Sequence, residues 1–332
     1  MKILDSPIIV SVCCLTYNHE KYVRQCLDGF IMQKTNFIFE ILVHDDASTD
    51  KTQDIIREYE AKYPHFIKPV YQKINQYSQG ISPLRDELFP KVKGKYIAIC
   101  EGDDYWIDPL KLQKQIDFLE THEDYGLIHT DFIVVNESKI KEYRITKCTN
   151  NPKDLLKLIL LGKYDIGTLT VLFRKSLYDK IPHYYKSQNF LMGDLPLWIE
   201  MANETKFKYL ESVTAAYRRL DNSASHSTNF QKRKAFIDSL IDCRLFYIRK
   251  LKLYKLEKKI YAKKCIIFIK VCSLEKRRKE AIKHFFLLVR FYPSELSFKA
   301  VYYLLIAFFP IITKLLIFLK ERHVSAQIRT LF

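Results

Sequence analysis

Residues 95–106, KYIAICEGDDYW, decide the architecture of this chain. Lys95–Cys100 (KYIAIC) is a short, mostly apolar run, and it breaks abruptly at Glu101-Gly102-Asp103-Asp104. Such a run, bounded by polar turn residues, reads as a strand buried on both faces. The same pattern recurs twice upstream. Ile8–Leu15 (IIVSVCCL) leads into TYNHE, and Phe39–His44 (FEILVH) stops at Asp45-Asp46-Ala47-Ser48-Thr49-Asp50. Between these two runs, Tyr22, Val23, Cys26, Leu27, Phe30 and Ile31 recur at helical spacing. A helix over about 21–33 follows, and Ser48 or Asp50 is placed to cap a second helix over about 51–62. Ile67–Tyr71 reads as a further short strand.

Strand–helix–strand alternation with short links predicts right-handed βαβ units and a mostly parallel sheet. In an open parallel sheet, ligands bind beyond the carboxyl ends of the strands. Three polar or acidic strand ends therefore converge on one crevice. Downstream, a helix is expected from Pro109 to about Thr121, strands at Tyr125–Asn136 and Leu169–Phe173, a helix at Leu195–Ala202, and an extended segment from Thr214 to Tyr217.

The crevice chemistry follows from residue type. EGDD places three carboxylates and a glycine within reach of one point, and carboxylate oxygens are the hard ligands that Mg²⁺ or Mn²⁺ prefers. Taken alone, EGDD also reads as a solvated acidic turn, and HDDAST as plain helix capping.

VSVCCLTYNHEKYVRQCL, EILVHDDASTDKT, GKYIAICEGDDYW and GDLPLWIEMA occur in the order and spacing of glycosyltransferase family 2, which the chain resembles over about residues 7–227. The resemblance implies a GT-A fold, a nucleotide-sugar donor, a divalent metal and inverting transfer to a saccharide or lipid-linked acceptor. It implies that Thr16, Tyr17 and Asn18 hold base and ribose, and that Asp46 bonds the base. Glu101-Gly102-Asp103-Asp104 looks like the DXD motif. Asp103 would face ribose or metal, Asp104 metal and diphosphate, and Glu101 stands where many members have Asp. Asp194 in GDLPLW matches the catalytic base. Arg85 is aligned loosely with a diphosphate- or base-binding position. YRRLDNSASHS resembles the family's segment near the diphosphate, so Arg218 would meet phosphate. Leu220 stands where many members have His, and His226 is the candidate replacement as a metal or phosphate ligand. Trp106 and Trp198 are candidates for stacking on an acceptor sugar, with core packing as the alternative. A catalytically silent nucleotide-sugar or glycan-binding protein of the same fold is the competing reading, and the retained Asp103, Asp104 and Asp194 argue against it.

The remaining third of the chain differs in composition. The 332 residues carry a formal net charge of +16. Residues 231–332 hold 24 Lys+Arg against 7 Asp+Glu, whereas the first 230 hold 30 against 31. The division expected is 1–229 for the GT-A domain and 230–332 for a basic helical region. KKIYAKKCIIFIK and KRRKEAIKHFF mix cations with apolar residues at helical spacing, a pattern suited to an anionic membrane surface. Residues 300–319 are long enough to span a bilayer, but Pro310 and Lys314 interrupt them. With no signal peptide at Met1-Lys2, the expected location is cytoplasmic, attached peripherally to the inner face of the membrane. No nucleic-acid motif accompanies the charge, so nucleic acid is not an expected partner. The eight cysteines form no C-x-x-C pair and read as buried free thiols.

Overall fold

The structure, a computed structural model, describes residues 6–135, 140–143, 152–220 and 229–308. It divides into two compact units, Met1–Phe236 and Ile237–Phe332.

The first unit is built on one nine-stranded sheet. Its strands are β1 (Ile8–Thr16), β2 (Ile38–Asp45), β3 (Ile67–Tyr71), β4 (Tyr96–Ile99), β5 (Tyr105–Trp106), β6 (Tyr125–Val135), β7 (Ile140–Tyr143), β8 (Leu172–Arg174) and β9 (Lys206–Arg218). The order is β3-β2-β1-β4-β8-β6-β9-β5, with β7 beside β6. The parallel sheet expected from the sequence holds over β3-β2-β1-β4. Beyond β4 the sheet is mixed. β8 runs antiparallel to both β4 and β6, β6 and β9 are parallel, and β5 is antiparallel to β9. The first half is wound through crossover helices. The second half is entered by the chain doubling back, which short-range hydrophobic periodicity does not report.

Of the helices α1 (Val23–Ile31), α2 (Thr52–Lys62) and α3 (Lys111–Thr121), α2 packs on β2 and β3, α1 on α2 and β5, and α3 on β6. Val23, Cys26, Leu27 and Phe30 repeat at three- and four-residue steps, so one stripe of α1 faces the sheet. They join Val10, Val12 and Cys14 of β1, Ile41 and Val43 of β2, and Leu112, Ile116 and Leu119 of α3 in a continuous core. Gly29 lets α1 approach β5: a Cβ there would lie 2.9 Å from the backbone N and O of Trp106. Four further helices complete the fold to this point: α4 (Pro152–Leu160), α5 (Lys175–Lys180), α6 (Asp194–Glu204) and α7 (Phe230–Lys250).

Residues from Ile237 onward carry the rest of α7, then α8 (Glu257–Leu274), α9 (Arg278–Phe291) and α10 (Phe298–Phe308). Ala262, Cys265 and Ile269 of α8 pack with Leu288 of α9 and Ala300 of α10. The sequence reading of basic helices without strands is met here. The stretch KKIYAKKCIIFIK, however, supplies the core of this unit through its apolar stripe, so its apolar face is not open to a membrane. Residues 309–319 lie outside the described residues. Among those described, no helix is long and apolar enough to cross a membrane. Seven of the eight cysteines are free and buried, and Cys148 lies outside the described residues.

Candidate active site

Strand register places the motifs on one edge. Thr16 pairs with Asp45, and Cys13 with Ile99, so β1, β2 and β4 end side by side. The ladder continues into the loops: the Asp46 N–H donates to Thr16 O at 2.9 Å, and the Gly102 N–H to Leu15 O at 2.8 Å. Gly102 is required by that approach, because a Cβ would lie 2.5 Å from Thr16 Cγ2 and 3.0 Å from His19 Nδ1.

The loops after β1 and β2 are laced together. The N–H groups of Asn18, His19 and Glu20 donate to Ser48 Oγ at 2.9 Å, Thr52 Oγ1 at 2.8 Å and Asp50 Oδ2 at 3.0 Å. In return, the N–H groups of Thr49 and Lys51 donate to Asn18 Oδ1 at 2.8 Å and Glu20 Oε2 at 3.1 Å. Asn18 and Ala47 take left-handed backbone conformations, φ 55° and 61°. Asn tolerates that region; Ala is strained there. Of the two expected caps, Asp50 serves the start of α2 by accepting the Thr52 N–H at 3.0 Å, while Ser48 bonds Asp45.

The two aspartates after β2 have different tasks. Asp45 is fully buried and accepts from Ser48, Gln53 and Thr16, which fixes the loop. Asp46 accepts the backbone N–H of Gln76 at 2.6 Å and of Tyr77 at 3.1 Å. A carboxylate offers about four lone-pair directions, so this leaves acceptor capacity beside the segment it pins.

Glu101, Asp103 and Asp104 each offer an oxygen within 4.8 Å of the others. Glu101 is exposed, Asp103 half-buried and Asp104 buried, so the cluster opens outward through Glu101. Glu101 is pushed up to about 8 by desolvation and by the negative charges of Asp103 and Asp194. Asp104 is raised well above the carboxylate range by burial, then by Asp103 and Glu101, while Arg218 opposes. Asp103 Oδ1 is buried without a hydrogen-bond partner. Crowded hard oxygens, one of them orphaned, fit a divalent cation.

Arg218 reaches this cluster through the β5–β9 pairing, in which Tyr105 faces Ala216. Its N–H donates to Asp104 Oδ1 at 2.7 Å. Its guanidinium donates to the Asp103 carbonyl and to Gln25 Oε1. It also lies 4.4 Å from the centre of the Tyr105 ring and 5.1 Å from that of Tyr22. The cation is held rigidly by a planar, multiply bonded group.

Asp194 is the first residue of α6. Its Oδ1 accepts the Leu195 N–H at 2.7 Å, and its Oδ2 accepts Thr168 Oγ1 at 3.0 Å. Its charge acts on Glu101, so the fold brings residues some ninety positions apart into electrostatic range.

The remaining sequence candidates differ in their surroundings. Tyr17 is exposed beside Thr16, which is buried and donates to His44 O at 3.1 Å. Arg85, on a π turn at Pro83–Leu88, is bidentate to Asp86 at 2.6 Å. Trp106 and Trp198 are corrected: at 1% and 3% exposure neither offers a face to a sugar. The Trp106 indole donates to Leu169 O at 2.8 Å and its ring packs on Phe30, while Trp198 packs on Phe173. Their bulk is spent in the core. His226 lies outside the described residues.

Sequence reasoning missed His19, Gln25 and Thr168. His19 Nδ1 is buried without a partner, and the ring's affinity for a proton is lowered by desolvation while Asp103, Asp50 and Asp45 oppose. It stood within the TYNHE motif, where its proximity to Gly102 was not visible. Gln25 lies in the VSVCCLTYNHEKYVRQCL motif, whose pattern does not reveal its contact with Arg218, and Thr168 belongs to no motif.

A mixed sheet with a parallel half, an acid cluster on its carboxyl edge and a separate carboxylate within electrostatic range of that cluster define a GT-A domain. The profile described as Glycosyl transferase family 2 matches residues 11–181, and the chain belongs to that family. The uncharacterized protein Rv1520 of Mycobacterium tuberculosis is 34% identical over 226 residues, covering 68% of this chain and 63% of that protein. The chain thus spans less than two thirds of that relative's length. WfaP of Escherichia coli, a UDP-Glc:α-D-GlcNAc-diphosphoundecaprenol β-1,3-glucosyltransferase, is 27% identical over 211 residues, covering 63% of this chain and 77% of WfaP. The crystal structure of S. aureus TarS 1–349 in complex with UDP-GlcNAc superposes with a TM-score of 0.54 at 16% identity, covering 88% of this chain and 93% of that one. That likeness is one of fold.

Proposed function

We propose that the chain is an inverting glycosyltransferase that moves a hexosyl or N-acetylhexosaminyl group from a UDP-sugar to a saccharide or lipid-linked acceptor in surface-polysaccharide assembly. One observation carries the reading: the cation-fitting cluster Glu101, Asp103, Asp104 lies within electrostatic range of the separate carboxylate Asp194. Asp103, Asp104 and Glu101 would hold Mn²⁺ or Mg²⁺, which supplies positive charge against a diphosphate leaving group. Arg218 adds a fixed cation on the same side. Thr16, Tyr17, Asn18 and Asp46 form the wall assigned to the nucleoside. A sugar hydroxyl is far too weakly acidic to attack unaided, so Asp194 takes its proton. The acceptor oxygen bonds to the anomeric carbon, the bond from that carbon to the phosphate oxygen breaks, and its electron pair leaves with the diphosphate. A single in-line displacement inverts the anomeric centre.

The test is a panel of UDP-glucose, UDP-galactose, UDP-GlcNAc and GDP-mannose, with Mn²⁺ or EDTA, scored for donor hydrolysis and thermal stabilisation. Mn²⁺-dependent hydrolysis of a UDP-sugar is expected. Stabilisation without hydrolysis would favour a silent binding protein, and neither response with any donor would sink the proposal.

The division of labour we assign is catalysis to residues 1–229 and attachment to an anionic inner-membrane surface to residues 230–332. Support comes from α9, where Lys279, Lys283, Phe286 and Arg290 repeat at steps of four, three and four and are all exposed. Phe286, Phe291 and Phe298 are 67%, 55% and 84% exposed. Cations beside bare aromatic rings suit a headgroup layer. Full-length protein is expected to sediment with vesicles containing phosphatidylglycerol and not with phosphatidylcholine alone. Phe286→Asp with Phe298→Asp should abolish this, and unchanged sedimentation would discard the surface.

A further inference from the structure

We propose that Thr168 is the positioning residue of the Asp194 base, and that the turn carrying it is clamped to the strand that follows the acid cluster. The proposal rests on the assignment of Asp194 above. The argument begins with the carboxylate. Asp194 opens α6 behind Gly193, which offers no side chain, and a Cβ there would meet nothing within 4 Å. Backbone on that side leaves the carboxylate free to swing about its own torsions. One oxygen is held by the next residue's N–H, and that bond alone permits rotation. The second anchor, Thr168 Oγ1 on Oδ2, removes the remaining freedom and sets the plane of the carboxylate.

Thr168 is itself fixed. It begins a single 3₁₀ turn, Thr168–Thr170, closed by the Thr170 N–H and hydroxyl on Gly167 O at 2.8 and 2.7 Å. The two carbonyls that follow are gripped from the other side of the core. Leu169 O accepts the Trp106 indole N–H, and Thr170 O accepts Gln115 Nε2, both at 2.8 Å. Gln115 is oriented in turn by Lys111 Nζ on its Oε1 at 2.8 Å, and that ammonium lies 4.3 Å from the centre of the Trp106 ring. All three side chains are buried. Trp106 stands two residues after Asp104. The chain of contacts therefore runs from the acid loop through Trp106 to the turn, and from Thr168 to Asp194. It gives the buried tryptophan and the buried lysine one purpose: to fix the separation between the base and the acids. Misplacement of a reacting group by about 1 Å costs about 100-fold in rate, so such a brace belongs where two distant segments must meet.

The test compares Thr168→Val, which keeps shape and loses the hydroxyl, with Thr168→Ser, which keeps the hydroxyl. The readout is steady-state hydrolysis of UDP-glucose or UDP-GlcNAc, whichever the Mn²⁺ panel turns over faster, with water as acceptor. For Thr168→Val, kcat is expected to fall about 10- to 100-fold with the donor KM unchanged, while Thr168→Ser recovers most of the rate. A merely structural role would lower thermal stability in both variants and move KM with kcat. Wild-type kcat in Thr168→Val, or equal impairment in Thr168→Ser, would overturn the proposal. Asp194→Asn run alongside separates the two readings. If it keeps the wild-type rate, the base assignment fails first and the brace with it. If it is inactive while Thr168→Val is not, only the brace fails.

Discussion

Asp194→Asn is expected to lower sugar transfer and donor hydrolysis by about 10²- to 10⁴-fold, the usual contribution of a positioned general base, with donor binding retained. The substitution is close to isosteric. An amide oxygen can still accept the Leu195 N–H, and the Thr168 hydroxyl can turn to accept from the amide nitrogen, so the start of α6 keeps its bonds. What is lost is the capacity to take a proton. Thermal stabilisation by the nucleotide sugar with Mn²⁺ should therefore match the parent while turnover collapses. Hydrolysis at the parent rate would remove Asp194 from the reaction.

Asp104→Asn should act at the acid cluster, and on binding. The amide keeps an oxygen for the Arg218 N–H, bonded at 2.7 Å, so β5 and β9 stay paired. The variant gives up one charged oxygen of the three-carboxylate cluster. Loss of a mere supporting partner costs about 10- to 100-fold in metal affinity, and loss of a ligand should cost at least that. Mn²⁺ titration followed by melting temperature, with and without donor, is expected to show a midpoint displaced by a factor of ten or more. Asp54→Asn, an exposed acid on α2, serves as the control and should leave the midpoint unchanged. Equal midpoints in Asp104→Asn and the parent would move the metal elsewhere.

The parallel half of the fold was legible because β1, β2 and β4 are buried on both faces and the helices on one. Both conditions write themselves into periodicity, as Ile8–Leu15 and the Val23, Cys26, Leu27, Phe30 stripe do. The convergence of TYNHE, DDASTD and EGDD followed from strand polarity alone. In the mixed half, β6 and β8 were legible as strands at Tyr125–Asn136 and Leu169–Phe173, but their directions and partners were not. β9 begins at Lys206, well before the extended segment expected at Thr214, because its lysines and glutamate mask a strand whose partners are far away in sequence. Trp106 and Trp198 were misplaced as acceptor platforms because composition does not say which side of a strand or helix faces inward. Thr168 could not be seen at all. Its role exists only through a contact with a residue 26 positions later, and a lone threonine carries no pattern. The acids were readable as chemistry, and their meeting required the fold.

The reciprocal lacing of residues 18–20 with 48–52 has a practical consequence for altering donor preference. Each loop completes its hydrogen bonding with side chains from the other, so neither is an independent module. Grafting one loop from a relative would strand several amides and carboxylates at once. On the proposed assignment of these loops to the nucleoside, the two must be transplanted together, as a single cassette.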